Sequence, residues 1–403
     1  MEHRAVDARL GRRSLLKSLG GAGLLASGAL SPLARAMMGA PAQAPGPWVR
    51  GFGALQPFSV SPDRIIAMNV CTRPFRAEGP RIALETLAGK PVVHNYGHGG
   101  SGWSLSWGSA AEALALVPQG PPGALAVVGC GAIGLTTALL AQRQGFAVTI
   151  YAKERPPYVR SSYATGVWSP DSRIATAEHG PAFAAQWLRM ARASHRRFQT
   201  FLGLPGHPIE YTTMFEMAET PFSEVGAHGS RDEPAYPHYS RDLAPELSPA
   251  PVALAEGHPF PAPFVRERRL MLFNISAYSR LLLEDFERRG GRIVTAELAG
   301  PEDFARLDEP AVINCTGYGA RALLGDESLT PVRGQTAKLM PEPGLNYGLR
   351  SREAKVSVYP RRDGLLVQTA GENDFGDGSE ALRPEESFGA VARLSSLVSA
   401  LHG

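Results

Sequence analysis

The sequence has 403 residues, enough for roughly two domains that each enclose a hydrophobic core. Hydrophobic residues make up 44% and charged residues 20%, which is typical of a folded globular protein and excludes a disordered chain. The formal net charge is +3, but residues 1–36 hold six Lys and Arg against two Asp and Glu, a net +4, so the remaining residues carry −1. This balance argues against a nucleic-acid-binding protein. Three cysteines are too few for a disulfide framework.

The N-terminus contains the three regions of a twin-arginine export signal. Arg12-Arg13 precede a weakly apolar run over 19–30, and Ala34-Arg35-Ala36 follows as a small-residue cleavage site. The apolar run is too short, and too rich in Gly and Ala, to span a bilayer stably. We therefore interpret 1–36 as a signal peptide and 37–61 as a linker, with a periplasmic or secreted mature protein. The alternatives are a basic N-terminal tail, an uncleaved anchor and a cytoplasmic location.

The predicted elements begin with an alternation of strands and helices, interrupted by the breaker Pro-Gln-Gly-Pro-Pro-Gly at 118–123. They are a strand at 92–96, a helix at 108–117, a buried strand at 124–128, a helix at 133–143 and a strand at 147–151. The last three elements form a strand–helix–strand unit.

The second half is less regular. Residues 176–265 are rich in proline and predict irregular structure, apart from an amphipathic helix at 181–201. The later elements are a helix at 276–289, strands at 292–296 and 311–315, a hairpin of 356–359 with 365–369, and a helix at 385–401.

A glycine fingerprint, Gly129-Cys130-Gly131-Ala132-Ile133-Gly134, joins the strand at 124–128 to the following helix. The first glycine allows the tight turn, the second lets a pyrophosphate approach the backbone, and the third lets helix and strand pack closely. Amide groups at the helix N-terminus then face the phosphates. The context therefore predicts a dinucleotide site, and we interpret Cys130, like Cys315, as a packing residue.

A second motif precedes this fingerprint. Residues 94–100 read His-Asn-Tyr-Gly-His-Gly-Gly and continue as SGWSLSWGSA. The segment resembles the signature of the D-amino-acid oxidase family of flavoenzymes, in which it lies near the C-terminus, after the nucleotide-binding glycines. The segments 71–76, 127–154, 164–170, 314–317, 329–335 and 356–364 also resemble segments of that family. The family order is thus present but rotated, as in a circularly permuted chain whose old ends were joined through 118–123.

The resemblance implies an α/β fold with a Rossmann-type FAD-binding domain and a smaller α+β substrate domain, D-amino-acid oxidase-like and circularly permuted. We assign 81–175 and 270–332 to the FAD-binding domain on this basis. The substrate-binding domain would comprise 62–80, 176–269 and 333–403.

The resemblance also implies roles for individual residues. Arg73 would bind the substrate carboxylate with its planar guanidinium, and the backbone carbonyl of Gly100 would accept a hydrogen bond from the amine. Tyr359 lies near the family's substrate-facing tyrosine positions and is the candidate to substitute for one of them. An ordinary surface arginine is the alternative for Arg73. The expected FAD contacts are Gly129, Gly131, Ala132, Ile133, Gly134, Glu154, Gly166, Val167, Trp168, Thr316, Gly317, Gly99, Ser101, Gly102, Trp103 and Ser104.

Two departures from the family pattern leave alternatives open. The ribose-binding carboxylate would fall near Ala152, so Glu154 is the candidate, with a solvated loop charge as its alternative. The positions of the family's substrate-facing tyrosines are Glu353 and Ser357, although Tyr347 and Tyr359 lie nearby. Glu353 in the pocket would favour a basic amino acid; the alternative is that Glu353 points to solvent. His94 and His98 are spaced like a metal pair, but the glycines around them argue against a shared helix face, and we expect no metal.

The sequence therefore predicts an exported FAD-dependent oxidase that converts D-amino acids to 2-oxo acids, ammonia and hydrogen peroxide. Its partners would be an amino acid, oxygen and the twin-arginine export machinery, without nucleic acid or a stable membrane span; a homodimer is left open. One alternative is a flavin dehydrogenase that feeds a respiratory carrier, and another is a flavin-binding protein without turnover. A nicotinamide-dependent enzyme is the weakest option.

Overall fold

Two β-sheets form the framework of the protein. The computed structural model describes residues 55–118, 120–223, 233–369 and 374–402, so the predicted signal peptide at 1–36 lies outside the described residues. The strands are β1 (Ile65–Phe75), β2 (Arg81–Leu87), β3 (Lys90–Tyr96), β4 (Ala124–Val128), β5 (Ala147–Ala152), β6 (Ile209–Ala218), β7 (Val252–Ala253), β8 (Phe264–Phe273), β9 (Arg292–Thr295), β10 (Val312–Asn314), β11 (Thr330–Leu339), β12 (Tyr347–Ser351), β13 (Val356–Arg361) and β14 (Gly364–Thr369).

Helices connect and cover these strands. They are α1 (Gly102–Leu114), α2 (Ala132–Arg143), α3 (Gly180–Gln199), the short α4 (Tyr239–Asp242), α5 (Ile275–Arg288), the short α6 (Ala320–Leu324) and α7 (Pro384–His402). Single 3-10 turns lie at Pro62–Arg64, Arg160–Tyr163, Pro245–Leu247, Pro301–Arg306 and Gly317–Gly319.

The six-stranded sheet has the order β2-β3-β10-β4-β5-β9 and is parallel except for the edge strand β2. Its strand β4 is an apolar run because both of its faces are buried, as is usual in parallel sheets. On the helical side, α1 packs against α2 and α3, and α2 packs against α5. The buried stripe of α5, with Ile275, Tyr278, Leu282 and Phe286, has the spacing of one helix face.

The eight-stranded sheet has the order β1-β11-β14-β13-β12-β6-β8-β7. Along β13, Val356 and Val358 are buried in the same core as residues of α7, while Ser357 and Tyr359 alternate to the opposite face. Phe58 and Val60, within the predicted linker, are buried in that core as well. The predicted boundary at 80/81 falls between β1, in this sheet, and β2, in the other, whereas β8 runs across the predicted boundary at 269/270.

The structure corrects two sequence predictions. The helix predicted from 108 begins at Gly102. Its first residues were not predicted to be helical because all residues from Trp103 to Ala110 are buried, which leaves no amphipathic pattern in the sequence. The region 176–265, predicted to be irregular outside its helix, contains β6 and the start of β8. These strands carry charged side chains such as Glu216 within the sheet, so they lack the usual apolar signature. The strand–helix–strand unit, the 356–369 hairpin and the last helix are confirmed.

An ion-pair cluster at the tip of the β13–β14 hairpin connects the eight-stranded sheet to helix α5. The Asp363 carboxylate accepts hydrogen bonds from Arg361 Nη2 at 2.7 Å, Lys338 Nζ at 2.9 Å and Ser276 Oγ of α5 at 2.5 Å. Burial opposes its charge, but the Arg361 charge and these hydrogen bonds outweigh burial and lower the pKa of Asp363 to about 2.

We expect Asp363→Asn to lower the free energy of unfolding at pH 7 by about 2 kcal/mol, since the pKa of Asp363 is lowered on folding. A carboxyl group whose pKa is lowered on folding stabilises the fold at pH values above its unfolded-state pKa. This stabilisation is lost as the pH falls through its folded-state pKa. The difference from wild type should therefore shrink between about pH 4 and pH 2. Urea unfolding at several pH values would measure it.

Asp242→Asn is the matched control, because Asp242 pairs only with its exposed neighbour Arg241 in the described structure. Its effect on unfolding should be small at all pH values. A difference for Asp363→Asn that did not depend on pH would contradict the assigned role of its charge.

Candidate active site

A cavity of about 1490 Å³ lies where the two sheets meet. Its wall is formed by the carboxyl ends of β3, β4, β5 and β10, the start of α1, the segment 159–173 and one face of the eight-stranded sheet. All predicted site residues lie in the described chain, and of these only Gly134 and Ser101 do not line the cavity.

The β4–α2 turn forms one end of this cavity. Gly129 has φ +108°, and a Cβ on Gly134 would lie 2.0 Å from the Gly129 carbonyl oxygen, so neither position accommodates a side chain without movement. Gly134 thus has the packing role that the fingerprint predicts for its third glycine. The first turn of α2 contains no acidic residue, which leaves the positive end of the helix dipole facing the cavity.

Ser161 is a site residue that the sequence reasoning missed. Its Oγ accepts a hydrogen bond from the Ala132 amide at 3.0 Å, at the first residue of α2, and the residue lines the cavity. A hydroxyl here can contribute a donor beside the helix amides. The only signal was its position between the fingerprint unit and the 164–170 segment.

The carboxyl end of β5 also borders the cavity. Glu154 is exposed and lines the wall, and Glu297 lies on the same wall. Lys153 forms an exposed ion pair with Glu297, with Nζ and Oε1 separated by 2.8 Å. The two charged residues after β5 therefore have different surroundings. Lys153 forms an ion pair with the segment after β9, and Glu154 borders the cavity.

Arg73 and Gly100 lie close together on the cavity wall. The Gly99 amide donates to the Pro74 carbonyl at 2.8 Å, which joins the end of β1 to the turn before α1. Arg73 is half-buried, and its Nη1 donates to the Arg333 carbonyl on β11 at 2.7 Å. A Cβ on Gly334 would come within 2.3 Å of Arg73 Nη2, so the guanidinium occupies space that only glycine leaves free.

Ser101 supports this wall from behind. Its buried hydroxyl donates to the carbonyls of Ser169 and Ser172, at 3.1 and 3.0 Å, while the Ser169 amide donates to Ser104 Oγ at 2.9 Å. The start of α1 is thereby fixed against the 166–172 segment, which contains the predicted cofactor contacts Gly166, Val167 and Trp168.

The sequence left four residues in or near the hairpin as candidates to face the substrate, and the structure places them differently. Ser357 and Tyr359 line the cavity, whereas within the described chain Tyr347 and Glu353 do not. The Tyr347 hydroxyl donates to the Gln56 carbonyl at 2.8 Å in the α7 core, and the exposed Glu353 carboxylate accepts from the Glu219 amide at 2.9 Å. Thr165 and Gln368 were also missed: both line the cavity, and the Thr165 hydroxyl donates to Gln368 Oε1 at 2.7 Å.

The remaining reactive side chains have other partners. His94 Nε2 lies 2.8 Å from Glu85 Oε2, and His98 Nε2 lies 2.7 Å from Ser109 Oγ. Burial lowers the pKa of His98 to about 3, so this ring is neutral. Burial raises the pKa of the Cys130 and Cys315 thiols to about 12, which fits packing residues. In the part of the chain that the structure describes, no group of three His, Cys, Asp or Glu is placed to hold a metal ion.

The family model described as FAD dependent oxidoreductase matches residues 124–402, well over half of the sequence. The chain belongs to this FAD-dependent oxidoreductase family. It is 30% identical over 279 residues to a D-amino-acid oxidase of Streptomyces coelicolor, which covers 68% of this chain and 78% of that protein. It is 29% identical over 282 residues to a D-amino-acid oxidase of Rubrobacter xylanophilus, covering 69% and 78%, respectively.

Membership confirms the predicted family, the α/β fold class and the FAD cofactor of this oxidoreductase. The residues present fit that cofactor. The cavity exceeds the roughly 300–1,000 Å³ of ordinary small-molecule sites, and α2 directs its N-terminal amides into one end of it. Gly129, Gly131 and Ser161 would surround the pyrophosphate, and Glu154 would face the ribose.

None of the helices within the described ranges is long and apolar enough to cross a membrane.

Proposed function

We propose that this FAD-dependent oxidoreductase oxidises D-amino acids, giving the imino acid and hence the 2-oxo acid and ammonia. The observation that carries the proposal is the position of Arg73 beside Gly99 and Gly100 on the wall of the FAD cavity. An amino acid needs a cation for its carboxylate and an acceptor for its amine, and this wall supplies both. The names of the relatives, D-amino-acid oxidases of two bacteria, point to the same chemistry.

When bound, FAD would supply the hydride acceptor and the route by which the electrons reach oxygen, which gives hydrogen peroxide as the second product. Arg73 would hold the α-carboxylate bidentately, its guanidinium positioned by the Arg333 carbonyl and by the space above Gly334. The Gly100 carbonyl would accept a hydrogen bond from the neutral amine and so orient the α-hydrogen. Ser357 and Tyr359 would cover the substrate from β13. This arrangement requires no side chain to act as a general base.

Two alternatives are distinguished by the product and by the flavin spectrum. A dehydrogenase that feeds a respiratory carrier would consume the same substrates without stoichiometric peroxide. A flavin-binding protein without turnover would be yellow but would not be bleached by any amino acid.

We further propose that the chain is a circular permutation of the family order. The family match begins at the first residue of β4, yet β1, β3 and α1 precede it and contribute to both sheets and to the cavity. Phe58 and Val60 pack in one core with Val391 and Leu394 of α7, so the front of the described chain and its last helix are neighbours. Segment 118–123, between α1 and β4, would be the join.

We also propose export through the twin-arginine pathway, which carries folded proteins. Arg12-Arg13, the apolar run and Ala34-Arg35-Ala36 support it. The mature enzyme would then act in the periplasm or outside the cell.

Anaerobic titration of the purified holoprotein tests the activity. We expect D-amino acids to bleach the flavin absorption band and L-amino acids to leave it unchanged, with one peroxide per turnover once oxygen is admitted. Bleaching by L-amino acids or simple amines alone would exclude this substrate class.

Arg73→Leu should raise KM by about 100-fold or more while FAD stays bound, since a hydrogen-bonded charge pair is lost. Gly334→Ala, which displaces the guanidinium, should act in the same direction.

A rearranged chain tests the permutation. The variant would run from 124 to 402 and continue through a flexible linker into 55–118. We expect it to fold, bind FAD and keep the wild-type KM, because each strand retains its neighbours. A folded product without FAD, at a matched yield, would contradict the proposal.

Fractionation of cells that express Arg12→Lys/Arg13→Lys tests export. We expect unprocessed protein to stay in the cytoplasm, while the control Arg4→Lys/Arg9→Lys is exported like wild type. If the Arg12→Lys/Arg13→Lys variant were exported like wild type, the assignment of 1–36 as a twin-arginine signal would be contradicted.

A further inference from the structure

Gln368 is a polar residue of the cavity wall whose hydrogen-bonding groups are only partly used by the fold. It lies on β14 and is half-buried, and its Oε1 accepts a hydrogen bond from the Thr165 hydroxyl at 2.7 Å. A glutamine amide also carries two N–H donors on Nε2. Within the described residues this Nε2 has no hydrogen-bond partner, and it is not buried. The bond to Thr165 therefore fixes the amide by its oxygen and leaves its donors open to the cavity.

The neighbouring hydroxyl on β11 also lacks a partner. Thr336 is opposite Gln368 in the β11–β14 register, so the two side chains share the cavity face of the sheet. Thr336 is 4% exposed, and its Oγ1 is buried without a hydrogen-bond partner in the described structure. An unpaired buried hydroxyl costs free energy unless a bound group satisfies it. A ligand that accepts hydrogen bonds at this point of the wall would give both residues an acceptor.

Both residues lie beside Arg73. The Arg73 guanidinium lies over Gly334, which precedes Thr336 by two residues on the same face of β11. Two residues of a strand span about 7 Å and neighbouring strands are about 5 Å apart, so Gln368 lies about 8 Å from Gly334. A carboxylate on the guanidinium, with hydrogen bonds of about 3 Å, is therefore within reach of the Gln368 side chain.

The cavity-facing hydroxyls of β13 lie farther from Arg73. Ser357 is opposite Gln368, one strand farther along the sheet, which places it about 12 Å from Gly334. Tyr359, two residues later on the same face, lies about 17 Å from Gly334. A serine side chain is too short to cover such a distance. Gln368 is therefore better placed than either residue to donate a hydrogen bond to a carboxylate held by Arg73.

We propose that Gln368 is a further substrate-binding residue, whose Nε2 donates to the α-carboxylate that Arg73 holds. The inference rests on the proposed oxidation of D-amino acids. Thr165 would orient the amide through its bond to Oε1, so that the donors face the substrate. Because Thr165 belongs to the 164–170 segment, the same glutamine would also connect the substrate carboxylate to the wall expected beside the flavin.

The first experiment measures binding without turnover, by titrating the flavin difference spectrum of the anaerobic holoprotein with propionate. Gln368→Glu keeps an oxygen that accepts from Thr165 but replaces the donor by a negatively charged oxygen, whereas Gln368→Met removes both groups without adding charge. We expect propionate to bind about tenfold more weakly to Gln368→Met and at least about 30-fold more weakly to Gln368→Glu. Wild-type affinity in either variant would overturn the proposal. A purely structural link to Thr165 predicts the reverse order, with Gln368→Glu close to wild type.

The second experiment separates KM from kcat, with D-alanine as the substrate. We expect Gln368→Met to raise KM about tenfold and to change kcat by less than about threefold, because the lost hydrogen bond is made in the ground state and in the transition state alike. A fall in kcat at an unchanged KM would assign Gln368 to the positioning of the 164–170 segment and exclude it as a carboxylate ligand.

Gln186→Met is the matched control. Gln186 lies on α3, donates to Glu112 Oε2 at 3.3 Å and is not part of the cavity wall in the described structure, so the same change is made away from the site. It should leave propionate affinity and KM unchanged. If the Gln368 variants bound propionate like wild type, the donor would be excluded while D-amino-acid oxidation stood. If no amino acid bleached the flavin, the proposed function would fall, and the propionate titration would still decide the role of Gln368.

Discussion

The pairing of β1 with β11 is the constraint on which the site depends. It joins residues about 260 positions apart in an antiparallel ladder from Ile65 opposite Leu339 to Phe75 opposite Thr330. This ladder places the Arg73 guanidinium over Gly334, and the Pro74 carbonyl then receives the Gly99 amide. A one-residue slip would turn the Arg73 side chain to the other face of the sheet and separate it from the cavity. The register thus determines both the fold of the front segment and the position of the expected carboxylate ligand.

The eight-stranded sheet has two faces of opposite character. The face toward α7 carries the apolar residues Leu349, Val358 and Val367, packed against Val391 and Leu394. The face toward the cavity carries the hydroxyl, amide and guanidinium groups of Thr336, Gln368, Ser357, Arg350 and Arg266, which are register partners across the strands. Burial on the α7 side stabilises the sheet, which leaves the opposite face free to carry groups chosen for binding. The polar face provides hydrogen-bonding and charged groups along the wall of a cavity that would hold a charged cofactor and a charged substrate.

The sequence was sufficient to predict elements whose signal is local. The β4–α2 turn, the α5 stripe and the β13–β14 hairpin each have a recognisable period or turn, and the motifs around Arg73 and Gly99 located one part of the cavity wall. Glu216 and the arginines of β8 could not be found in this way. Their strands alternate charge where a strand pattern expects apolar residues, and their proximity to Arg350 arises only from the parallel pairing of β6 with β12. Ser161 was missed for the same reason, since its contact with Ala132 joins residues 29 positions apart, with α2 and β5 between them.

Three polar contacts beside the cavity link the β13–β14 hairpin to the loop at 164–165 and to helix α5. Thr165 donates to Gln368, Arg361 donates to the Ala164 carbonyl, and the Asp363 carboxylate accepts from Ser276 at the start of α5. Residues 164–165 begin the 164–170 segment that would contact the flavin ring, so these bonds would position that segment relative to the substrate-facing strands. Hydride transfer depends steeply on the distance between the ring and the substrate. The hairpin tip, remote from Arg73 along the strand, is therefore part of the geometry of the site.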